Sequence, residues 1–274
     1  MKALVLGAAG QLGAEFVRLL GEETAVTHRQ VSVTDAPAID ALVGSRRPDV
    51  VFNCAAYNAV DLAETEVQLA FEVNATGPAN IAMACARHGS RFVHFSTNYV
   101  FDGSLARPYL ESDTPGPLGA YARSKLDGER RALEAMPGAL VIRTAGVFGG
   151  DAGQSFPEKI AQRVRLGGRP RVVADQLVNP TFTGDLAPAA IRLAGDGVEG
   201  VVHVVAEGCC GWDELARAAL AELGLNADVD PITTEELAAP ARRPLNGCLA
   251  SVRVGPLRPW REALHAWGRR VKYP

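Results

Sequence analysis

Short apolar runs alternate with helix-like segments over the first 150 residues of the chain. The runs at 3–6, 49–53, 91–96 and 140–143 predict strands, and their continuous apolar character indicates burial on both faces. Apolar residues at helical spacing predict helices over 11–20, 35–45, 61–88 and 118–136. Because this alternation is typical of parallel βαβ units, we predict the α/β class with a doubly wound parallel sheet.

The alternation weakens after residue 150, where proline and glycine interrupt the chain more often. The pattern there predicts helices near 155–166, 184–194, 212–223 and 260–270, and short strands at 171–173 and 201–205. We therefore predict a first domain over 1–150 and a smaller α/β region over 151–274 that is partly interleaved with it.

The composition excludes several classes of protein. Hydrophobic residues make up 47% and charged residues 22% of the chain, as in globular proteins. No apolar run reaches the roughly 18 residues of a membrane span. With 28 basic and 31 acidic residues the net charge is −3, so we expect no nucleic-acid partner. Five cysteines without a CxxC pair predict reduced thiols and a cytoplasmic protein.

Three glycines, Gly7, Gly10 and Gly13, follow the first predicted strand at intervals of three. Small residues are needed there for a tight turn, for close approach of the backbone to a pyrophosphate, and for packing of helix on strand. The helix that follows offers free N–H groups and the positive end of its dipole to an anion. This position between strand and helix predicts a dinucleotide-binding site over 1–150, and with it a Rossmann-type sheet.

The ribose of a bound dinucleotide is usually recognised after the second strand. Proteins that bind NAD carry a carboxylate there, but the stretch 25–30 has none. His28 and Arg29 stand in its place, and a cationic side chain suits a 2′-phosphate. The sequence therefore favours NADPH as the cofactor, with NADH as the alternative.

A tyrosine and a lysine lie four residues apart in the predicted helix over 118–136. Tyr121 and Lys125 fall about 40° apart on one helical face. A neighbouring cation lowers the pKa of a phenol from its usual value of about 10. Ser96 and Thr97 end the preceding strand, at the sheet edge where ligands bind. We predict Thr97, Tyr121 and Lys125 as catalytic residues, with the Thr97 hydroxyl bonded to a substrate carbonyl oxygen.

Further strings over nearly the whole chain resemble the dTDP-4-dehydrorhamnose reductase family, a group of extended short-chain dehydrogenases/reductases. The matching positions are 10–13, 53–61, 73–75, 96–103, the pair at 121 and 125 with 128–129, 175–176, 180–181 and 242–244. The resemblance implies reduction of the 4-keto group of a nucleotide-linked deoxysugar by NAD(P)H, in deoxysugar or polysaccharide biosynthesis. A small-molecule nucleotide sugar would then be the substrate, and residues 151–274 would cap it.

The resemblance also implies roles for individual positions. Cofactor would lie against Gly7, Gly10, Gln11, Leu12, Ala55, Ala56, Tyr57, Tyr121 and Lys125, beside the Arg29 already named. Substrate would contact Ser96, Asn98, Asn179, Arg242 and Arg243, since an arginine pair suits a diphosphate. Some members of the family dimerise through a metal held by acidic residues, for which Glu15 is a candidate here. We predict no metal, and a homodimer stays open.

Several positions depart from the usual sequence of the family. Asn98 stands in place of an aspartate, Ala122 and Val178 in place of glycines, and Ala145 with Gly146 in place of a Ser-Trp pair. The tryptophan helps to shape the sugar pocket in the family. Gly146 therefore leaves room for another sugar, or for a tryptophan supplied from elsewhere in the chain.

Two alternative functions stay open. An epimerase or epimerase-reductase on the same fold needs a second acid–base residue near the sugar. His203, which is flanked by apolar residues, is instead expected to pack within a strand. A non-catalytic regulatory subunit, resembling that of methionine adenosyltransferase, would have no need of the intact catalytic trio.

Overall fold

The computed structural model describes residues 1–150 and 155–272. Its strands are β1 (Ala3–Leu6), β2 (Ala25–Val26), β3 (Val50–Asn53), β4 (Arg91–Thr97), β5 (Leu140–Thr144), β6 (Val147–Phe148), β7 (Arg171–Val173), β8 (Leu177–Val178), β9 (Thr181–Phe182), β10 (Gly200–His203), β11 (Ala206–Glu207), β12 (Cys210–Gly211), β13 (Asp230–Ile232) and β14 (Leu257–Pro259). Its α-helices are α1 (Gln11–Leu20), α2 (Ala36–Arg46), α3 (Val67–Phe71), α4 (Gly77–His88), α5 (Ala120–Ala135), α6 (Phe156–Arg165), α7 (Thr183–Gly195), α8 (Trp212–Glu222), α9 (Thr234–Leu237) and α10 (Trp260–Lys272). Short 3-10 segments cover Glu22–Thr24, Leu62–Glu64 and Asn98–Val100, and a π-helical segment covers Glu72–Thr76. No helix within the described ranges is long and apolar enough to cross a membrane.

A parallel sheet of six strands lies at the centre of the described part of the chain, in the order β10, β5, β4, β3, β1, β2. The strand order reverses at β1, whose neighbours are β2 and β3. Ligands of doubly wound sheets bind at this switch point, beyond the carboxyl ends of the strands. The predicted α/β fold and parallel sheet are confirmed, because the four apolar runs all form central strands.

Apolar side chains cover both faces of this sheet. On one face Phe16 of α1 stacks on Phe52 of β3, with 4.4 Å between the ring centroids, and α7 packs beside them. On the other face Ile39 of α2 and Ile81 of α4 are fully buried. Burial of apolar surface stabilises a fold by about 25 cal/mol per Å². Because apolar side chains cover both faces of the sheet, the ends of the strands are left as the place where polar side chains can bind a ligand.

The helix predicted over 61–88 is wrong in its continuity, because the structure breaks it into several segments. Pro78, near the start of α4, has no N–H, so the carbonyl of Asn74 lacks its usual helical partner. The Asn74 side chain turns to the segment after β3, where Oδ1 accepts from the Tyr57 N–H at 2.8 Å and Nδ2 donates to the Tyr57 carbonyl at 3.0 Å. The break therefore fastens a loop that borders the ends of the strands.

Residues of the later half form small two-stranded sheets and also return to the central one. β7 pairs with β13, β6 with β9 and β11 with β14, all parallel, while β8 and β12 are antiparallel. β10 lies at the edge of the central sheet and α7 packs on its face. The division into domains at residue 150 stays a prediction.

The prediction that all five cysteines are reduced is wrong for two of them. Cys209 and Cys248 form a disulfide, with their Cα atoms 6.1 Å apart, a separation at which two sulfur atoms can bond. The two residues are 39 positions apart in the chain, so no local spacing marks the pair. Cys54, Cys85 and Cys210 are free. The bond joins the loop before β12 to the segment around Cys248.

Candidate functional site

A cavity of about 580 Å³ lies beyond the carboxyl ends of the central strands. The loops after β1, β3, β4 and β5 form most of its wall, and α5, α6 and α8 complete it. Its lining residues are 10–12, 53–56, Asn58, Val60, 95–99, Tyr121, Lys125, 144–147, Lys159 and Trp212. None of these residues carries a carboxylate. The cavity is thus at the edge where the sheet topology places a ligand, and its lining suits an anionic one.

The glycine loop after β1 has the shape of a pyrophosphate cradle. Gly7 has φ +77°, and a Cβ atom there would lie 2.5 Å from the backbone nitrogen of Ala55. A Cβ atom at Gly13 would overlap the carbonyl of Gly7, so α1 packs closely on the turn. The Oε1 atom of Gln11, at the start of α1, is buried without a hydrogen-bond partner among the described residues. These residues fit the diphosphate of a dinucleotide.

The residues that follow β2 leave the predicted ribose position free of carboxylates. His28 and Arg29 are exposed there, outside the lining of the cavity itself. The turn is held by Gln30, whose Oε1 accepts from the Thr27 N–H at 2.8 Å. Since β2 lies next to β1 in the sheet, Arg29 stands on the glycine-loop side of the cavity.

The phenol of Tyr121 and the hydroxyl of Thr97 face the same cavity. The Tyr121 hydroxyl donates to Oδ1 of Asn58 at 3.5 Å, and the backbone N–H of Tyr99 donates to Oγ1 of Thr97 at 3.2 Å. Burial raises the pKa of Tyr121 to about 12, against a hydrogen bond with Thr97 that lowers it. The expected lowering of this pKa by Lys125 is not found. Tyr121 is therefore a protonated phenol at neutral pH.

Lys125 is held by the backbone of β4 rather than by the phenol. Its Nζ atom donates to the carbonyl of Phe95 at 2.6 Å. Burial lowers the pKa of Lys125 to about 8, although the nearby Glu129 carboxylate raises it. The ammonium group is therefore mostly charged at pH 7. The spacing of Tyr121 and Lys125 in the sequence does not reveal that Lys125 bonds to the backbone of β4 and not to the phenol.

A buried ion pair that the sequence motifs did not predict lies beneath the strand ends. Glu129 of α5 accepts from Nε and Nη2 of Arg143 on β5, at 3.0 and 2.7 Å. Ser96 donates to the same carboxylate, and the Arg143 guanidinium lies 5.2 Å from the ring centroid of Phe101. The Ser96 hydroxyl is thus directed to Glu129. Glu129 is within a family-matching string, but no local spacing identifies Arg143 as its partner.

Other predicted contact residues bind the protein itself. Nδ2 of Asn98 donates to the carbonyl of Gly247 at 3.0 Å, although Asn98 also lines the cavity. Asn179 accepts from the Leu249 N–H at 2.7 Å and does not line the cavity. Tyr57 likewise lies outside the lining and donates to Glu66 at 2.6 Å.

The two arginines predicted to bind a diphosphate are not on the wall of the cavity. Arg243 donates to both carboxylate oxygens of Asp61 at 2.9 Å, and its hydrogen bond is the main reason that the pKa of Asp61 is lowered. Arg242 is exposed. This pair fastens the late loop to the segment after β3.

Glu15 and His203 both bond to the protein itself. Glu15, the candidate for a bridging metal, accepts from Arg18 at 2.6 Å and from Arg270 at 3.0 Å. Burial raises the pKa of Glu15, but these hydrogen bonds bring it below its usual value. His203 is buried on β10 with Nδ1 donating to the carbonyl of Ala250 at 2.9 Å, which confirms that it packs within a strand.

Trp212 and Lys159 line the cavity without having been predicted. Trp212 begins α8 and packs against the cluster that contains Ala145 and Val178. Gly146 lines the same cavity. A tryptophan from elsewhere in the chain therefore does reach the pocket beside Gly146. Neither residue belongs to a motif, so only the folded chain brings them to the site.

Comparison with known proteins agrees with this geometry. The family profile described as RmlD substrate binding domain matches residues 1–272. The dTDP-4-dehydrorhamnose reductase of Mycobacterium tuberculosis is 41% identical over 278 residues, which cover 96% of this chain and 91% of that protein. A probable dTDP-4,6-dihydroxy-2-methyloxan-3-one 4-ketoreductase of Streptomyces antibioticus is also 41% identical, over 96% of this chain and 93% of that protein. A crystal structure of dTDP-4-dehydrorhamnose reductase from Bacillus anthracis in complex with NADP has a TM-score of 0.92 and 30% identity, and covers 97% of this chain and 99% of that chain.

Proposed function

Because this chain belongs to the RmlD substrate binding domain family, as its sequence motifs predicted, we propose that it reduces the 4-keto group of a nucleotide-linked deoxysugar with NADPH. It is an NAD(P)H-dependent oxidoreductase of keto sugar nucleotides. One observation supports the proposal above the others. The Tyr121 phenol, the Thr97 hydroxyl and the Lys125 ammonium share one cavity with the glycine loop.

The residues of the cavity divide the work of the reduction. NADPH, when bound, supplies the hydride that adds to C4 of the sugar. Thr97 donates a hydrogen bond to the C4 carbonyl oxygen and orients it. As the carbon–oxygen π bond breaks, Tyr121 gives its proton to that oxygen, and the resulting phenolate then takes a proton from water. Lys125, held by the Phe95 carbonyl, keeps a positive charge at the base of the cavity, where it would bind the ribose hydroxyls of the cofactor.

Arg29 and the absence of a carboxylate after β2 support NADPH over NADH. A guanidinium group binds a 2′-phosphate through charge-assisted hydrogen bonds, whereas NADH offers only a hydroxyl there. A relative of known structure is in complex with NADP. In the proposal Arg29 binds the 2′-phosphate, because it follows the carboxyl end of β2.

The finer assignments of compartment and assembly are also proposals. We place the enzyme in the cytoplasm, because a nucleotide sugar and NADPH are both multiply charged metabolites that do not cross membranes unaided. A homodimer is the protein partner that the family resemblance implies.

For the epimerase alternative, no histidine or carboxylate stands among the described residues of the cavity wall as a second acid–base group. Nδ1 of His203 is directed to backbone carbonyls, and burial lowers the pKa of this histidine. Neither His203 nor a free cysteine other than Cys54 lines the cavity. Burial raises the pKa of the Cys54 thiol far above neutrality, so this thiol is a poor base.

The test is NADPH oxidation with a panel of nucleotide-linked 4-keto-6-deoxysugars. We expect turnover on at least one of them, and a loss of about a hundredfold to ten-thousandfold in kcat for Tyr121→Phe because the proton donor is removed. Tyr109→Phe is the matched control, since Tyr109 is a buried tyrosine outside the cavity. Tight NADPH binding without turnover on any substrate would contradict the proposal and favour a non-catalytic binding subunit.

A further inference from the structure

The wall of the cavity carries two cationic side chains, Lys125 and Lys159, and no carboxylate among its described residues. Lys125 is buried and donates to the carbonyl of Phe95, so it is committed to the base of the site. Arg242 and Arg243 do not line the cavity. Lys159 is therefore the cation on this wall that stays available to a bound anion.

The position of Lys159 is set by the first turn of α6. Ser155 and Glu158 form a capping box, in which the Ser155 N–H donates to Glu158 at 2.9 Å. Phe156 packs on Trp212 with 4.8 Å between the ring centroids. Lys159 follows Phe156 by three residues, so both lie on the face of α6 that borders the cavity. This arrangement fixes the backbone while the lysine side chain stays exposed.

The Lys159 ammonium has no hydrogen-bond or ion-pair partner within 1–150 and 155–272. The Glu158 carboxylate is directed to Ser155 in the capping box rather than to Lys159. A cation without a partner among the described residues, on a wall whose described residues carry no carboxylate, attracts anions without first giving up an ion pair there. Lysine also moves its charge on a flexible stem, which suits a point contact with phosphate oxygens.

We infer that Lys159 binds the diphosphate of the nucleotide sugar, an inference that rests on the proposed function. The C4 atom of the sugar must lie against Tyr121, and the diphosphate is attached at C1 on the opposite side of the ring. The diphosphate therefore points away from the catalytic hydroxyls, toward the wall formed by α6 and α8. The diphosphate of NADPH is met by the glycine loop and the start of α1 instead.

Lys159→Met, Lys159→Arg and the control Arg163→Met test this assignment. Arg163 is an exposed cation on the same helix and does not line the cavity, so its loss changes the net charge equally. In Lys159→Met we expect the KM of the keto sugar nucleotide to rise about tenfold to a hundredfold, the range expected when one charge-assisted hydrogen bond is lost. The kcat value should change less than about threefold, and Lys159→Arg should recover part of the affinity.

Two binding measurements keep this test separate from the proposed function. Thymidine diphosphate is titrated into the NADPH-loaded protein without turnover, and its Kd should rise in Lys159→Met by the same factor as KM. The Kd of NADPH alone should stay unchanged. An unchanged Kd for thymidine diphosphate would overturn the inference. A rise confined to the Kd of NADPH would overturn it too, by assigning Lys159 to the cofactor. Lack of turnover in the wild type, with the thymidine diphosphate effect intact, would contradict the proposed function alone.

Discussion

Tyr121 and Lys125 lie on one face of α5, yet each is held by a different neighbour. The phenol contacts Asn58 and Thr97, whereas the ammonium group donates to the backbone of β4. Burial raises the pKa of Tyr121 to about 12 and lowers that of Lys125 to about 8, so two pKa values that are close in the free side chains move apart. Lys125 is therefore the first of the two to lose its proton as the pH rises, and Tyr121 keeps its proton at neutral pH.

The charge of Lys125 predicts the alkaline limb of the pH profile. Because burial lowers the pKa of Lys125 to about 8, its ammonium is charged below that pH and neutral above it. We expect kcat/KM to fall about tenfold per pH unit above this value, since loss of the ammonium charge weakens the hold of this residue on the bound cofactor. In Lys125→Met the activity should be low and the limb absent. A profile that stays flat to pH 9.5 in the wild type would contradict the role of the charge.

Arg29 predicts the preference between cofactors. We expect Arg29→Ala to raise the KM of NADPH about tenfold or more and to leave the KM of NADH within about twofold, because only NADPH carries the 2′-phosphate. The measurement is steady-state kinetics with each cofactor at saturating keto sugar. Arg47→Ala serves as the control, since Arg47 is exposed at the end of α2 and does not line the cavity. Equal losses with both cofactors would refute the assignment of Arg29 to the phosphate.

At the scale of elements, α5 is positioned by the segment that interrupts the predicted helix over 61–88. Asn74 lies in that π-helical segment, and its Nδ2 donates to Oγ of Ser124 on α5 at 3.0 Å. A turn further along α5, Gly128 lies directly against the Asn74 carbonyl, where a side chain does not fit. The irregular backbone thus seats the helix that carries Tyr121 and Lys125.

This seating predicts the effect of adding one methyl group to α5. A Cβ atom at Gly128 would overlap the Asn74 carbonyl oxygen, so we expect Gly128→Ala to lower the free energy of unfolding by about 1–3 kcal/mol. Gly195→Ala, at the end of α7, is the matched control because a Cβ atom there meets nothing within 4 Å. Urea denaturation followed by circular dichroism measures both. Equal stability of the two variants would show that α5 does not approach the π-helical segment so closely.

For the molecule as a whole, the sequence predicted those features that are formed by residues close to one another in the chain. The strands, the glycine loop and the pair on α5 each depend on residues near one another in the chain. The disulfide of Cys209 with Cys248 and the ion pair of Asp61 with Arg243 depend on residues far apart, so no spacing marked them. Lys159 reaches the cavity only because α6 packs against α8. The break near 74 coincides with Pro78, whose missing N–H is a feature that apolar periodicity does not register.

In the proposed reaction, hydride reaches C4 of a nucleotide-linked keto sugar at the carboxyl edge of the central sheet. Its most direct test is turnover of a dTDP-linked 4-keto-6-deoxysugar with NADPH that carries deuterium at the transferable position, followed by NMR spectroscopy of the product. We expect one deuterium at C4 and an axial or equatorial hydroxyl of single configuration there. Consumption of no cofactor, or deuterium at any carbon other than C4, would contradict the proposed reduction.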